Sequence, residues 1–246
     1  MTQSQTSENE SFHLKEFFND QWKIYQKVLN NNYMGHREIY NILHELLVSY
    51  FQKPFTMLDL GCGDSSFISK ALVNTNIASY HGVDLSITAL EIAKKNLAIT
   101  QCDTTLIPGD FSQLSSLLAS GQNNKFDAIL ISFALHHLHL EQKDYFIEQL
   151  QHFLTPGGVF ILIDVVRQKE EDRATYIRRY LDDVQQRWSL LSEKEYSMVK
   201  EHISSSDFPE TQQTLQEISL KSGFTRVECL YQDALNTTQL LCFYKS

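Results

Sequence analysis

The sequence predicts an α/β protein: a mostly parallel sheet of seven strands, doubly wound by helices on its two faces. Three observations predict it. From Phe55 to about residue 164, short apolar runs alternate with amphipathic stretches, the pattern of parallel βαβ units. The first apolar run ends in Gly61-Cys62-Gly63, and a helix-like segment follows at once. Two closing apolar runs, 225–232 and 238–245, lie near enough in sequence to pair as an antiparallel hairpin.

Residues 1–11 are rich in Ser, Thr, Gln and Glu and are expected to be a disordered tail. Residues 12–53 are expected to form an N-terminal helical cover. Its first helix carries Leu14, Phe17, Phe18, Trp22, Tyr25, Val28 and Leu29 on one face and breaks at Asn30-Asn31-Asn32. Its second helix carries Ile39, Ile42, Leu43, Leu46, Leu47 and Tyr50 at helical spacing and stops before Pro54. Residues 54–246 are expected to hold the sheet, with strands at 55–60, 79–84, 104–108, 126–133 and 158–164. The helices between them fall at about 65–73, 86–98, 113–119 and 141–153, and Pro156-Gly157-Gly158 reads as a turn into the fifth strand. Residues 167–203 read as a helical insertion, with eight basic and eight acidic residues. A last helix starts near Pro209 and ends at Gly223 before the closing pair of strands.

Composition excludes some functions. At 246 residues and 42% hydrophobic, the chain buries one good core. Its formal charge of −9, from 21 basic and 30 acidic residues, repels polyanions, so no nucleic acid partner is expected. No apolar run approaches the roughly 20 residues of a membrane helix, so no membrane partner is expected either. Cys62, Cys102, Cys229 and Cys242 show no paired metal spacing, which suits reduced thiols in a cytoplasmic setting. Oligomeric state is left open.

In an open parallel sheet, ligands bind beyond the carboxyl ends of the strands, so the residues ending each strand form the candidate site. Strand one ends Leu58-Asp59-Leu60-Gly61-Cys62-Gly63-Asp64. The glycines let backbone approach a ligand closely. Asp59 opposes a pyrophosphate there but suits a cationic amino acid end; the other reading is that it satisfies buried backbone N–H groups. Cys62 belongs to the same turn and reads as a small filler rather than a reactive thiol. Strand two ends in Asp84, about 20 residues past the glycines, where a carboxylate accepts both hydroxyls of a ribose or else caps the next helix. Strand three ends in Asp110-Phe111, an acid for an exocyclic amine beside a ring for a purine face. Strand four ends at Ser132, counted among the cofactor-lining residues, and Leu154-Thr155-Pro156-Gly157-Gly158 is the fifth piece.

These pieces, in this order and over residues 55–245, resemble the motif set of the class I S-adenosylmethionine-dependent methyltransferases, small-molecule type. The resemblance implies a Rossmann-like sheet and S-adenosyl-L-methionine as cofactor. It implies that Gly61 and Gly63 line the methionine part, that Asp84 holds the ribose, that Leu85 and Phe111 sandwich the adenine, and that Asp110 reads its amino group. The chain departs from the family at Ser65, where many members carry a third glycine; serine is expected to fit and to cap the following helix.

Methyl transfer is an in-line displacement, so the site must align a nucleophile and, for a protonated acceptor, remove a proton. His136 is the candidate base, oriented by Asp164 at the end of the neighbouring strand. The plainer reading is that His136 and His137 cap or pack the helix that follows. His137, with Tyr33 and His36 in the break between the N-terminal helices, is a candidate for the substrate site. No metal set is expected: His136, His137 and His139 have no carboxylate or cysteine in ligand spacing. The expected function is methyl transfer from S-adenosylmethionine to an oxygen or nitrogen of a small metabolite. Its rivals are a catalytically silent S-adenosylmethionine-binding regulator and an NAD-linked oxidoreductase, the latter disfavoured by Asp59 and by Ser66 where the dinucleotide fingerprint has its third glycine.

Overall fold

The computed structural model describes residues 23–114 and 125–246. The tail, the start of the first helix (Leu14, Phe17, Phe18 and Trp22) and most of the helix expected at 113–119 lie outside them. The elements run α1 (residues 23–30), α2 (His36–Tyr50), β1 (Phe55–Leu60), α3 (Ile68–Ala71), β2 (Ile77–Asp84), α4 (Ile87–Leu97), β3 (Asp103–Pro108), β4 (Phe126–Ser132), α5 (Leu140–Phe153), β5 (Leu154–Val165), α6 (Arg173–Arg187), α7 (Glu193–Ser206), α8 (Gln212–Lys221), β6 (Arg226–Gln232) and β7 (Thr238–Tyr244).

The strands form one seven-stranded sheet in the order β3-β2-β1-β4-β5-β7-β6. β1, β2, β3, β4 and β5 pair in parallel, and β7 lies antiparallel between β5 and β6. The order turns back at β1 and β4, the crevice where such sheets take their ligands.

Successive residues of a strand face opposite sides of a sheet, and the core divides accordingly. Leu58, Leu60, Ile129, Ile131, Phe160, Leu162, Leu241 and Phe243 join one cluster with Phe146, Ile147 and Leu150 of α5 and Leu215 and Ile218 of α8. Phe55, Met57, Ala128, Leu130, Val159, Ile161 and Ile163 join a second with Ile39, Leu43 and Leu47 of α2 and Leu90 and Ala93 of α4. Both faces are apolar, so the central strands lack polar alternation.

Two local expectations need correction. Ser65 does not cap the helix after the glycine turn: it takes a left-handed backbone at φ +53°, and the helix begins only at Ile68, after Phe67, with no side-chain cap. A residue in that conformation cannot open a right-handed helix, so α3 is four residues long rather than 65–73. Pro156-Gly157-Gly158 is not a turn before the strand but a bulge within extended β5. Phe126 pairs with Leu154 and Ala128 with Val159, and Gly157 at φ +76° takes up the excess residues.

The chain divides into two compact units, one drawing its described residues from 23–36 and 174–207, the other from 37–173 and 208–246. The second contains the whole sheet. In the first, α1 buries Ile24, Val28 and Leu29 and leaves Tyr25 partly exposed, and the chain leaves α1 through left-handed Asn32. Tyr33 stacks on Trp188 with centroids 5.2 Å apart, and Lys27 meets Glu195 at 2.7 Å. No described helix is long and apolar enough to cross a membrane.

Candidate active site

The site at the end of β1 is built by the turn expected there. Gly61 and Cys62 both donate backbone N–H groups to the Val83 carbonyl, at 2.8 and 3.0 Å, which bends the chain away from the sheet. Gly61 has φ +75°, and a Cβ added to it would stand 3.0 Å from the Ala134 Cβ; backbone freedom and close approach both require glycine here. Gly63 donates its N–H to Asp84 Oδ2 at 2.8 Å, and Ser86 donates its N–H to Asp84 Oδ1 at 2.8 Å. Asp84 therefore ties the glycine turn to the end of β2, while Ser86 caps α4 by accepting from the Ala89 N–H.

Asp59 is buried on the face shared with α2. Tyr80 donates its hydroxyl to Asp59 Oδ2 at 2.6 Å, and the Ser65 hydroxyl lies 3.2 Å from that of Tyr80. Asp59 Oδ1 is buried with no hydrogen-bond partner. Burial pushes the Asp59 carboxyl up to about 7; the Tyr80 hydroxyl opposes the shift and Asp84 adds to it. Burial likewise pushes the Cys62 thiol up, so it is no ready nucleophile, in keeping with the filler reading. At the end of β4, Tyr40 from α2 donates its hydroxyl to Ser132 Oγ at 2.9 Å.

Towards β3, Asp110 Oδ1 accepts the Ser112 N–H at 2.9 Å and opens a short 3-10 turn. Phe111 packs its ring against Phe146 with centroids 5.5 Å apart, and Leu85 stands 72% exposed at the end of β2.

The ends of β4 and β5 bring His136 and Asp164 together as expected. Phe133 turns the chain out of β4 with φ +51°, and a 3-10 turn at Leu135–His137 follows. His136 Nδ1 lies 2.5 Å from Asp164 Oδ1, and the His136 N–H donates to Asp164 Oδ2 at 2.9 Å. The Val165 N–H donates to Oδ1 as well, at 2.9 Å. Both side chains are buried. Neither His136 nor His137 caps the next helix: that place belongs to His139, in a capping box with Gln142. His137 is exposed, its ring 4.1 Å from that of His136. Tyr33 and His36 lie in the helical unit, where the Tyr33 hydroxyl accepts the Leu190 N–H at 3.1 Å.

Known proteins can be set against this geometry. A family model described as a methyltransferase domain matches residues 57–158. A carboxy-S-adenosyl-L-methionine synthase of Yersinia pseudotuberculosis is 22% identical, over 92% of this chain and 92% of its own. One from Chromohalobacter salexigens is 26% identical, over 85% of this chain and 76% of its own. The matched domain and these relatives support a class I S-adenosylmethionine-dependent methyltransferase. Solved structures bear out the fold of this methyltransferase. The cyclopropane synthase MmaA2 of Mycobacterium tuberculosis superposes with a TM-score of 0.55 at 21% identity, over 78% of this chain and 62% of that one. A protein from Pyrococcus horikoshii gives 0.58 at 18%, over 85% and 91%. The protein is an enzyme that uses S-adenosylmethionine.

The methyltransferase's own residues pass a test of fit to that cofactor. An unpartnered oxygen on a buried acid is the feature a cationic amino acid end calls for, and it stands beside a turn where glycine is sterically required. Sequence reasoning missed the hydroxyls that arrange this region, Tyr80 and Tyr40. The available signal was that a tyrosine at a buried position needs a partner for its hydroxyl.

Proposed function

We propose that this methyltransferase moves the methyl group of S-adenosylmethionine to an oxygen or nitrogen of a small metabolite, with His136 as general base and Asp164 as the group that orients it. The buried His136–Asp164 pair carries the reading. The cofactor supplies an activated methyl carbon on a sulfonium; the chain supplies alignment and a place for the acceptor's proton. With Nδ1–H donating a hydrogen bond to Asp164, His136 is fixed in the tautomer whose Nε2 accepts. A negative carboxylate behind the ring stabilises the imidazolium that forms when the proton arrives. On the cofactor side, Asp59 would hold the ammonium, Gly61 and Gly63 the methionine chain, Asp84 the ribose hydroxyls, and Asp110 with Phe111 and Leu85 the adenine. A net charge of −9 supports a small acceptor over a polyanion.

The test is formation of S-adenosylhomocysteine from S-adenosylmethionine across a panel of phenols, hydroxy acids and amines, with wild type and His136→Ala side by side. His136→Ala is expected to bind the cofactor normally and to turn over about 10²–10⁴-fold more slowly. Turnover at the wild-type rate would remove His136 as base.

A second reading rests on one observation: relatives aligned over 92% of both chains are named carboxy-S-adenosyl-L-methionine synthases. In that reading S-adenosylmethionine is itself a substrate: its sulfonium methyl carbon loses a proton and bonds to a carboxyl carbon given up by a second, carboxyl-donating substrate, which takes up a proton at the carbon its carboxyl leaves. The mass of the nucleoside released from protein purified from its own host separates the two, since only the second yields a carboxylated species.

A further inference from the structure

We propose that Lys143 and Glu210, a buried ion pair joined to His136 through the backbone of Phe208, are positioning residues for the His136–Asp164 pair. The inference rests on the base reading above. Lys143 lies on α5 and is only 1% exposed. A buried ammonium is unfavourable unless it is held, and an apolar side chain of similar volume would avoid that desolvation. Here it is held at two points: Nζ donates to the Phe208 carbonyl oxygen and lies 3.5 Å from Glu210 Oε1. Glu210 in turn accepts from Arg167 Nη2 at 2.9 Å through its other oxygen. Arg167 also donates from Nε to the Pro209 carbonyl at 2.6 Å and from its backbone N–H to the Glu210 carbonyl at 2.9 Å.

Two cationic side chains, Lys143 and Arg167, thus converge on residues 208–210, and that stretch reaches the proposed base directly. The Phe208 N–H donates to the His136 carbonyl at 2.7 Å, and the Phe208 ring packs on His139 with centroids 3.9 Å apart. Phe208 is gripped at both backbone groups, its carbonyl by Lys143 and its N–H by His136. His136 is therefore clamped from two sides, by Phe208 at its carbonyl and by Asp164 at its N–H and Nδ1.

The pair acts through charge as well as contact. Burial lowers the affinity of Lys143 for its proton, while Glu210 and then Asp164 raise it; the field of the ammonium therefore reaches the carboxylate that orients His136. A cation there disfavours an imidazolium at His136, and an anion at Glu210 favours it. Within the sheet unit, the other charged or titratable groups facing His136, directly or through residues 208–209, are Asp164 on β5, His137 on its own turn, His139 at the start of α5, and Arg167 and Arg173 after β5.

The full-length protein, labelled with ¹³C at histidine ring carbons, reports the His136 titration by NMR without any acceptor substrate, its signal assigned by its loss in His136→Gln. Lys143→Met is expected to raise the His136 midpoint and Glu210→Gln to lower it, each by about half a pH unit or more, as a unit charge several ångströms away requires. Lys143→Arg is expected to stay near wild type. Opposite shifts from opposite charges support the inference. Midpoints that coincide with wild type, or that move the same way whichever charge is removed, overturn it and leave the pair a structural clamp. Where Lys143→Met does not fold, Glu210→Gln decides: a lowered midpoint supports the inference, and a midpoint at or above the wild-type value overturns it. The titration reads His136 whether or not it accepts a proton in turnover, so a failure of the base reading appears only in the turnover of His136→Ala.

Discussion

Asp59 and Asp164 are both acids of the central sheet, both all but inaccessible, and they are partnered in opposite ways. Asp164 accepts three hydrogen bonds, from the His136 N–H, the His136 ring and the Val165 N–H. Asp59 accepts one, from Tyr80, and its second oxygen has none. A saturated carboxylate is set before any ligand arrives and serves to hold another side chain. An unsaturated one, raised towards neutrality by burial, is completed by a cation from outside. The contrast separates the end of the site that positions from the end that binds.

The largest effect expected is at the saturated acid. Asp164→Asn puts an amide donor where the site offers only donors, so it should remove the orienting contact to His136 and slow turnover by about 10²–10⁴-fold. It should also destabilise the fold by about 1–3 kcal/mol through unsatisfied N–H groups. Cofactor affinity measured by calorimetry should stay within a few-fold of wild type; an equal loss of affinity would collapse the distinction.

Asp59→Asn should do the reverse. Loss of a buried charge opposite an ammonium should weaken S-adenosylmethionine binding by about 10–100-fold, with thermal stability held or improved. Unchanged affinity would mean that Asp59 serves the fold alone.

Acidity sharpens the same contrast. The folded Asp59 carboxyl sits at about 7 against an ordinary 3.8, so the native unliganded chain holds a proton that the unfolded chain has released. Its contribution to stability is full below about 4 and is lost as pH rises through about 7. A bound cation favours the ionised form, so cofactor affinity should rise with pH up to about 7 and then level off. Calorimetry near pH 6.5 in buffers of different ionisation enthalpy should detect proton release in wild type and none in Asp59→Asn.

The smallest effect belongs to Ser65. Ser65→Gly relieves a left-handed backbone but loses the hydroxyl beside Tyr80, and the two offset to within about 1 kcal/mol by thermal melting. A loss of several kcal/mol would show that the Ser65–Tyr80–Asp59 chain of hydroxyls does more than support one oxygen.

Much of this was legible in the residues. β1 appears at 55–60 as read, because an apolar run closed by two glycines leaves little freedom at either end. The His136–Asp164 pairing was legible because adjacent parallel strands in register, with Ser132 opposite Ile163, carry their following residues to one place. What escaped were side chains whose role depends on partners far away in sequence. Lys143 reads as one more polar residue of an amphipathic helix, and only the return of 208–211 explains its burial. The length of α3 escaped because a serine at position 65 carries no sign of its own left-handed backbone.

β7 has a further consequence. Its seven residues are all buried, and it fills the gap between β5 and β6. Until the ribosome has made Tyr244, β5 therefore shows a bare, greasy flank, for on the order of ten seconds while residues 166–237 are synthesised at ~5–20 residues per second. A nascent chain in that interval offers a neighbour's strand the edge that its own hairpin later takes.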